Sequence, residues 1–210
     1  MIKILMADDH AIVREGMRQI LADSPDIEIV AEASDGDEAY ALVRNGGWNF
    51  LLLDISMPGK NILEIIKQAK QQFPQHPILI MSMYPEDQYA IRMLRAGVDG
   101  YLTKASAPEQ LLTAIRKLAN GEKYISLALA EQLINELSPN KQKEPHRTLS
   151  DREFQVFSGI VKGKALTEIA NEMTLSVKTI STFRTRLLKK MQMTKNVELI
   201  HYATKHNLLL

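Results

Sequence analysis

Five residues in the first half of the chain have types suited to phosphoryl chemistry. Asp8, Asp9 and Asp54 supply carboxylates, Ser82 a hydroxyl and Lys104 a cation. Three converging carboxylates repel unless something neutralises them, and oxygen-only ligands suit Mg²⁺ with several retained waters. A lysine and a hydroxyl opposite them offer cation and hydrogen bond to a transferred phosphoryl group. A second constellation lies near the other end. At about 100° per residue on a helix over 177–191, Lys178, Ser181, Thr182, Thr185, Arg186 and Lys189 share one face. Val177, Ile180, Phe183, Leu187, Leu188 and Met191 take the opposite face. A solvated face normally mixes charge signs. This one carries hydroxyls and cations without an acid, which suits phosphates and base edges. Arg184 falls in the apolar arc, so its stem is expected to pack and its head to reach the rim or a phosphate.

The elements that position the first set follow from two periods. Near-continuous apolar runs at 2–7, 27–33, 49–53, 77–82 and 99–103 read as strands covered on both faces, as in a parallel sheet. Helical patterns fill 11–22, 36–44, 62–72, 86–95 and 107–119. For the last, Ser106 and Glu109 stand at capping-box spacing with Pro108 in the first turn. The alternation predicts an α/β fold, a flavodoxin-like doubly wound five-stranded parallel sheet of order 2-1-3-4-5. Ligands of such sheets bind at the carboxyl ends of the strands. Asp8 and Asp9 follow the first strand, Asp54 the third and Lys104 the fifth, while Ser82 ends the fourth. An Asp after a strand is, taken singly, most often a turn or a cap. Five such positions at one edge are a different matter.

A helical stretch at 126–137 precedes 138–147, which holds no apolar residue except two prolines and reads as a linker. Beyond it, 150–162, 167–173, 177–191 and 196–206 predict an all-α four-helix unit. Ser150 and Glu153 repeat the capping-box spacing. The turn Thr174-Leu175-Ser176, with Ser176 as N-cap, joins the two middle helices into a helix-turn-helix. The expected domains are therefore 1–120, a linker helix and flexible linker over 121–147, and 148–210. The charge divides at the same place. Residues 148–210 hold ten Lys/Arg against five Asp/Glu, and residues 1–147 sixteen against twenty, within a net charge of +1. A basic back half points to a polyanionic partner.

Composition excludes several classes. With 45% hydrophobic and 24% charged residues, the 210-residue chain is neither disordered nor collagen-like. No apolar run approaches the roughly 18 residues that cross a bilayer. Acids at positions 8 and 9 argue against a signal peptide, so a cytoplasmic protein is expected. Zero cysteines exclude disulfides, thiolate nucleophiles and Cys-based metal sites. His201 and His206, five apart, point about 140° from each other on a helix, which argues against a metal site between them.

Residues 1–120 resemble the receiver domain of two-component response regulators. The resemblance rests on Ala7-Asp8-Asp9-His10, Leu52-Leu53-Asp54-Ile55-Ser56-Met57-Pro58-Gly59, Ile80-Met81-Ser82-Met83 and Gly100-Tyr101-Leu102-Thr103-Lys104. It implies that Asp54 is the phosphate acceptor, and that Asp8, Asp9, Asp54 and the Ser56 carbonyl hold Mg²⁺. Lys104 would pair with the phosphate, Ser82 move toward it and Tyr101 turn inward with that motion. A phosphoryl group brings close to two negative charges and three acceptor oxygens, enough to bias a bistable element.

Residues 148–210 resemble the LuxR/NarL-type DNA-binding domain. The match lies in Leu149-Ser150-Asp151-Arg152-Glu153, Gly163, Glu168-Ile169-Ala170, Leu175-Ser176-Val177-Lys178-Thr179-Ile180-Ser181 and Val197-Glu198-Leu199 with Ala203. It implies base-facing Ser181, Thr182 and Thr185, phosphate-facing Lys178, Arg186 and Lys189, and a homodimer on double-stranded DNA, the helix at 196–206 pairing with a second copy. A sensor histidine kinase would be the phosphate donor, and RNA polymerase a further partner. The chain would be a phosphoprotein and transcription regulator, not an enzyme.

Three departures accompany the resemblance. Ile62 stands where the receiver pattern has a glycine, so that turn must take another shape or its glycine role has moved. Ala165-Leu166-Thr167 replaces a usual Ser-Asn-Lys, and Phe183 a frequent histidine. Two other readings compete. A Mg²⁺-dependent phosphohydrolase would need a general acid two residues after Asp54, where Ser56 stands. A phosphorylation-independent DNA-binding regulator, its receiver-like domain serving dimerisation, is motivated by Ile62.

Overall fold

The computed structural model describes residues 1–83, 86–137, 144–173, 175–206 and 208. Residues 138–143 of the expected linker and Thr174 of the expected turn lie outside the described residues.

Strands β1 (Ile2–Ala7), β2 (Ile27–Ala33), β3 (Phe50–Asp54), β4 (Ile78–Ser82) and β5 (Gly100–Thr103) form one parallel sheet ordered β2-β1-β3-β4-β5. Helices α1 (Ala11–Ala22), α2 (Gly36–Asn45), α3 (Ile62–Gln72), α4 (Glu86–Arg95) and α5 (Pro108–Ala119) occupy the crossovers and the end of the sheet. The apolar strand runs have a direct cause, because both faces of the sheet are covered. Leu5, Leu51, Leu53, Ile78 and Ile80 pack with residues of α2, α3 and α4, among them Val43, Ile65 and Ile91. The alternate residues Ile4, Met6, Phe50, Leu52 and Leu79 pack with Met17 and Leu21 of α1 and Leu111 and Ile115 of α5. Each such side chain contributes about 1.5–3 kcal/mol when fully buried. Register then sets the functional edge: Ala7 pairs with Leu53, and Asp54 with Met81.

The first compact unit runs Met1–Ile134. After α5 the chain returns along β5, where Tyr101 N donates to Tyr124 O at 3.2 Å. Leu129 of α6 (Leu127–Leu137) is then buried in the sheet's core, with Ile125 and Leu133 packed beside it. Periodicity showed this helix but not the surface its apolar face covers.

Two start signals resolve differently from expectation. Helix α5 begins at Pro108 with Ala107 at the N-cap, and Ser106 Oγ instead lies 3.1 Å from Thr103 Oγ1. Proline's fixed φ suits the first helical position, which moves the cap one residue past Ser106. At α3, Asn61 is the N-cap, its side chain accepting from Leu63 N at 2.8 Å. Ile62 is therefore an ordinary first helical residue that packs on the core. The positive φ of this loop sits at Gly59 (+85°). The turn thus takes another shape, as Ile62 requires, with its positive φ at the glycine of Met57-Pro58-Gly59.

The second unit, Asn135–Leu210, contains a short 3₁₀ turn (Pro145–Thr148) and helices α7 (Asp151–Val161), α8 (Leu166–Glu172), α9 (Val177–Met191) and α10 (Asn196–Lys205). Its interior is built from Val156, Phe157, Ile160, Ile169, Ile180, Leu187, Leu199 and Ala203. Three of the four helices start alike. Glu153, Glu168 and Glu198, each third in its helix, accept from the backbone N–H of Ser150, Ala165 and Lys195. Only the first of these, with Ser150 as N-cap, was legible as a capping box.

Candidate functional site

At the carboxyl edge of the sheet the structure brings Asp8, Asp9 and Asp54 together. Their carboxylate oxygens, with one ring nitrogen of His10, lie within 4.8 Å of one another. The turn after β1 is held locally, His10 N donating to Asp8 Oδ1 at 2.9 Å and Arg14 Nη1 to Asp8 O at 2.7 Å. Ser56 N donates to Asp54 Oδ1 at 3.2 Å, which ties the following loop to the acid. Lys104 Nζ stands 2.7 Å from both Asp54 Oδ2 and Asp8 Oδ2, and all three side chains are buried. Lys104 is placed by its own backbone, its N–H donating to Ser82 O at 2.8 Å. Ser82 and Tyr101 are fully buried, Tyr101 within the core between sheet and helices.

The electrostatics of this edge follow from its burial. Burial pushes the Asp54 carboxyl above its ordinary value, with the Asp8 charge adding to it and the hydrogen bond from Lys104 only partly opposing it. Burial opposes the charge on Lys104 too, but there its bonds to Asp54 and Asp8 win and hold the ammonium above its ordinary value. When all are ionised, Asp8, Asp9, Asp54 and Lys104 sum to −2, the charge that a divalent ion cancels. Asp8 Oδ2 and Asp9 Oδ1 are buried with one ion-pair contact each, to Lys104 Nζ and to His10 Nδ1, both at 2.7 Å, and no further donor. Buried oxygens left this way carry a desolvation cost that a cation would remove. The residues fit a hard divalent ion.

Sequence reasoning missed three contributors here. His10 gave no signal beyond its place beside the two acids. Gly36 donates its N–H to Pro58 O at 2.7 Å, and a Cβ on it would lie 2.2 Å from Lys60 O. The loop after Asp54 therefore rests on α2 at a point only glycine allows. Arg14, one turn into α1, supports the Asp8 backbone and lies 3.4 Å from Glu32.

In the second unit, Ser176 caps α9 by accepting from Thr179 N at 3.1 Å, and α8 and α9 form the expected helix-turn-helix. Lys178, Ser181, Thr182, Thr185, Arg186 and Lys189 are all exposed on α9. Among the described residues, Lys178, Arg186 and Lys189 have no carboxylate partner. Thr182 Oγ1 donates to Lys178 O and Thr185 Oγ1 to Ser181 O, both at 3.0 Å, so these hydroxyls present acceptor lone pairs outward. Arg184 does not reach outward. It is half-buried and its Nε donates to Asn196 Oδ1 at 2.6 Å, tying α9 to α10. Lys190 is likewise occupied, its Nζ donating to Glu153 Oε2 at 2.6 Å. Burial pushes Glu153 upward, but the bonds from Lys190 and Ser150 outweigh it and hold the carboxyl below its ordinary value. His206 stacks its ring on Tyr202, with its Nδ1 3.3 Å from Glu144.

An acid-lined sheet edge in one unit and a helix-turn-helix with a bare cationic face in the other define a two-part regulator of DNA. Comparison with known proteins gives its family. Residues 4–116 match the response regulator receiver domain, and residues 147–203 match the bacterial regulatory proteins of the luxR family. The response regulator UvrY of Escherichia coli K12 is 35% identical over 209 residues, covering 99% of this chain and 96% of that one. The oxygen regulatory protein NreC of Staphylococcus haemolyticus is 38% identical over 214 residues, covering 99% of each. RcsB of Salmonella enterica serovar Typhimurium, solved bound to the rprA promoter with a phosphomimetic, superposes with a TM-score of 0.73 at 25% identity, covering 97% of this chain and 98% of that one. The chain belongs to the two-component response regulators that carry a LuxR-type DNA-binding domain. It is a DNA-binding transcription regulator, a family that is not an enzyme class. No helix among the described residues is long and apolar enough to cross a membrane.

Proposed function

We propose that Asp54 is the phospho-acceptor through which a sensor histidine kinase controls DNA binding by the second unit. The observation that carries this reading is the meeting of Asp54, Asp8, Asp9 and Lys104 at one buried edge. The carboxylate of Asp54 attacks the phosphorus of a phosphohistidine, an O–P bond forms, and the N–P bond breaks with its electrons going to the imidazole. Lys104, already on Asp54, stays with the oxygens of the phosphoryl group, which replace the carboxylate charge it faces. Asp8, Asp9, Asp54 and the Ser56 carbonyl would hold Mg²⁺, which supplies neutralising charge for the carboxylates and the phosphoryl oxygens. Ser82, at the end of the neighbouring strand, supplies the hydroxyl that moves toward the phosphoryl group, and the Tyr101 ring, buried here, already occupies the inward position coupled to that motion.

On DNA, Ser181, Thr182 and Thr185 of α9 face base edges while Lys178, Arg186 and Lys189 take phosphates. Two copies related by a two-fold axis read two half-sites. RNA polymerase is the machine such a regulator meets at a promoter, and the cytoplasm is where both are found. Receiver function is assigned to 1–120, linkage to 121–147 and DNA binding to 148–210, with α6 adding to the first.

The phosphorylation-independent alternative loses its motive, since Ile62 is an ordinary helical residue. The test is duplex DNA selected from a random pool, bound before and after treatment with acetyl phosphate and Mg²⁺, with native size measured alongside. Tighter binding with a shift toward dimer supports the switch. Equal affinity in both states contradicts it and restores the alternative.

A further inference from the structure

Helices α9 and α10 meet at a turn whose first residue, Gln192, sits in the left-handed region at φ +57°. A residue other than glycine keeps that conformation only where its surroundings over-determine it. Both ends of the turn are tied. Met193 N donates to Leu188 O at 2.9 Å, and Glu198 Oε2 accepts from Thr194 N and Lys195 N at 2.6 and 3.0 Å. One side-chain bond spans the turn. Arg184 Nε donates to Asn196 Oδ1 at 2.6 Å, and among the described residues no other side-chain hydrogen bond joins α9 to α10. Arg184 lies in the apolar arc of α9, on the side away from the exposed Ser181, Thr182 and Thr185. No described carboxylate pairs with it. Its guanidinium serves neither an ion pair nor the exposed face, but the angle between two helices.

That angle matters because the two helices have different tasks. α9 carries the base-facing residues, while α10 is where two copies would pair, with Val197 beside Asn196 leaving 69% of its surface exposed. At 15 residues α9 is about 22 Å long, so a tilt of about 10° moves its end by about 4 Å, more than the base-pair step of about 3.4 Å. Half-site spacing mirrors the geometry of the dimer that reads it. Resting on the two-copy reading above, we infer that Arg184 is a positioning residue for DNA recognition. By holding α9 against α10 it fixes the gap between half-sites that the dimer accepts, without itself touching DNA.

The experiment uses the full chain treated with acetyl phosphate and Mg²⁺. The half-site comes from random-pool selection. Two copies of it are placed in one duplex as an inverted repeat, with the gap varied one base pair at a time over a helical turn. Arg184→Leu keeps apolar packing and removes the donor, Asn196→Ala removes the acceptor, and Asn196→Asp retains one. The expected result is one preferred gap in the wild type and in Asn196→Asp. In Arg184→Leu and Asn196→Ala that preference should flatten severalfold, with a melting transition retained and the base order within a single half-site unchanged. An unchanged gap profile in the folded variants overturns the inference. An equal loss at every gap and on a single half-site overturns it as well, since it reduces the bond to packing. Flattening in Arg184→Leu with Asn196→Ala like the wild type overturns the assignment to this bond. No preference of the wild type for paired over single half-sites overturns the two-copy reading together with the inference.

Discussion

Lys104 reaches Asp54 across the carboxyl edge of the sheet, Nζ to Oδ2 at 2.7 Å, while holding Asp8 Oδ2 at the same distance. One buried cation serves two buried anions, and a third acid stands beside them. Replacing the cation leaves three like charges uncompensated. Lys104→Met should therefore destabilise the metal-free chain by about 3 kcal/mol, the range for breaking a buried pair. A divalent ion then faces a cluster of −3 in place of −2, so Mg²⁺ should raise the melting temperature more in the variant than in the wild type. Thermal melts with and without Mg²⁺ check this. An equal or smaller rise in the variant would show that Lys104 does not set the charge of the pocket.

Gly36 holds the loop behind Asp54 by its N–H to Pro58 O, at a contact with no room for a Cβ. Gly36→Ala must move the backbone of α2 or of that loop, at about 1–3 kcal/mol. The rate of phosphate uptake from acetyl phosphate should fall severalfold as well. Lost stability with an unchanged uptake rate would separate this contact from the site.

In the second unit, the Glu153–Lys190 pair gives a pH dependence of known sign. The folded-state value of Glu153 is lowered, so its contribution is fully present above the ordinary glutamate value of about 4.3. It fades as pH falls through the lower folded value. Lys190 is 42% exposed, which limits the pair to about 1 kcal/mol after solvent screening. Lys190→Met should lower hydrogen-exchange protection of α7 at pH 7, and the gap from wild type should close under acid. A gap that stayed constant at acid pH would assign the loss to packing of the lysine stem.

The two kinds of residue on α9 should separate on DNA. Lys189→Ala should weaken binding to all sequences and reduce the salt slope by about 1. Thr182→Ala should change which bases are preferred, at about 1–3 kcal/mol for the affected position. Selection from a random pool at two salt concentrations checks both. If the two variants scale all affinities alike, the division into phosphate and base contacts is wrong.

The sheet, its order and the convergence of Asp8, Asp9, Asp54 and Lys104 were legible because strand ends and apolar runs are local features of the chain. The six exposed α9 residues were legible because helical period alone separates them from Ile180, Leu187 and Met191. What escaped depended on partners distant in sequence. Arg184 finds Asn196, twelve residues on, Lys190 finds Glu153, and Gly36 meets Lys60. The fit of α6 against the sheet required Leu129 to find a core already formed. Ile62 correctly announced a turn of another shape, but not which one: Asn61 supplies the helix start and Gly59 the positive φ. Ser106 misled because capping-box spacing was satisfied one residue before the place proline's φ fixed the helix start.

The central claim, that Asp54 takes the phosphoryl group, is tested most directly by intact mass after incubation with acetyl phosphate and Mg²⁺. Wild type and Asp54→Asn are compared, with folding of the variant confirmed by its melting transition. A single phosphate-sized gain in the wild type and none in the folded variant is the predicted result. No gain in a folded wild type, or an equal gain in Asp54→Asn, would contradict it.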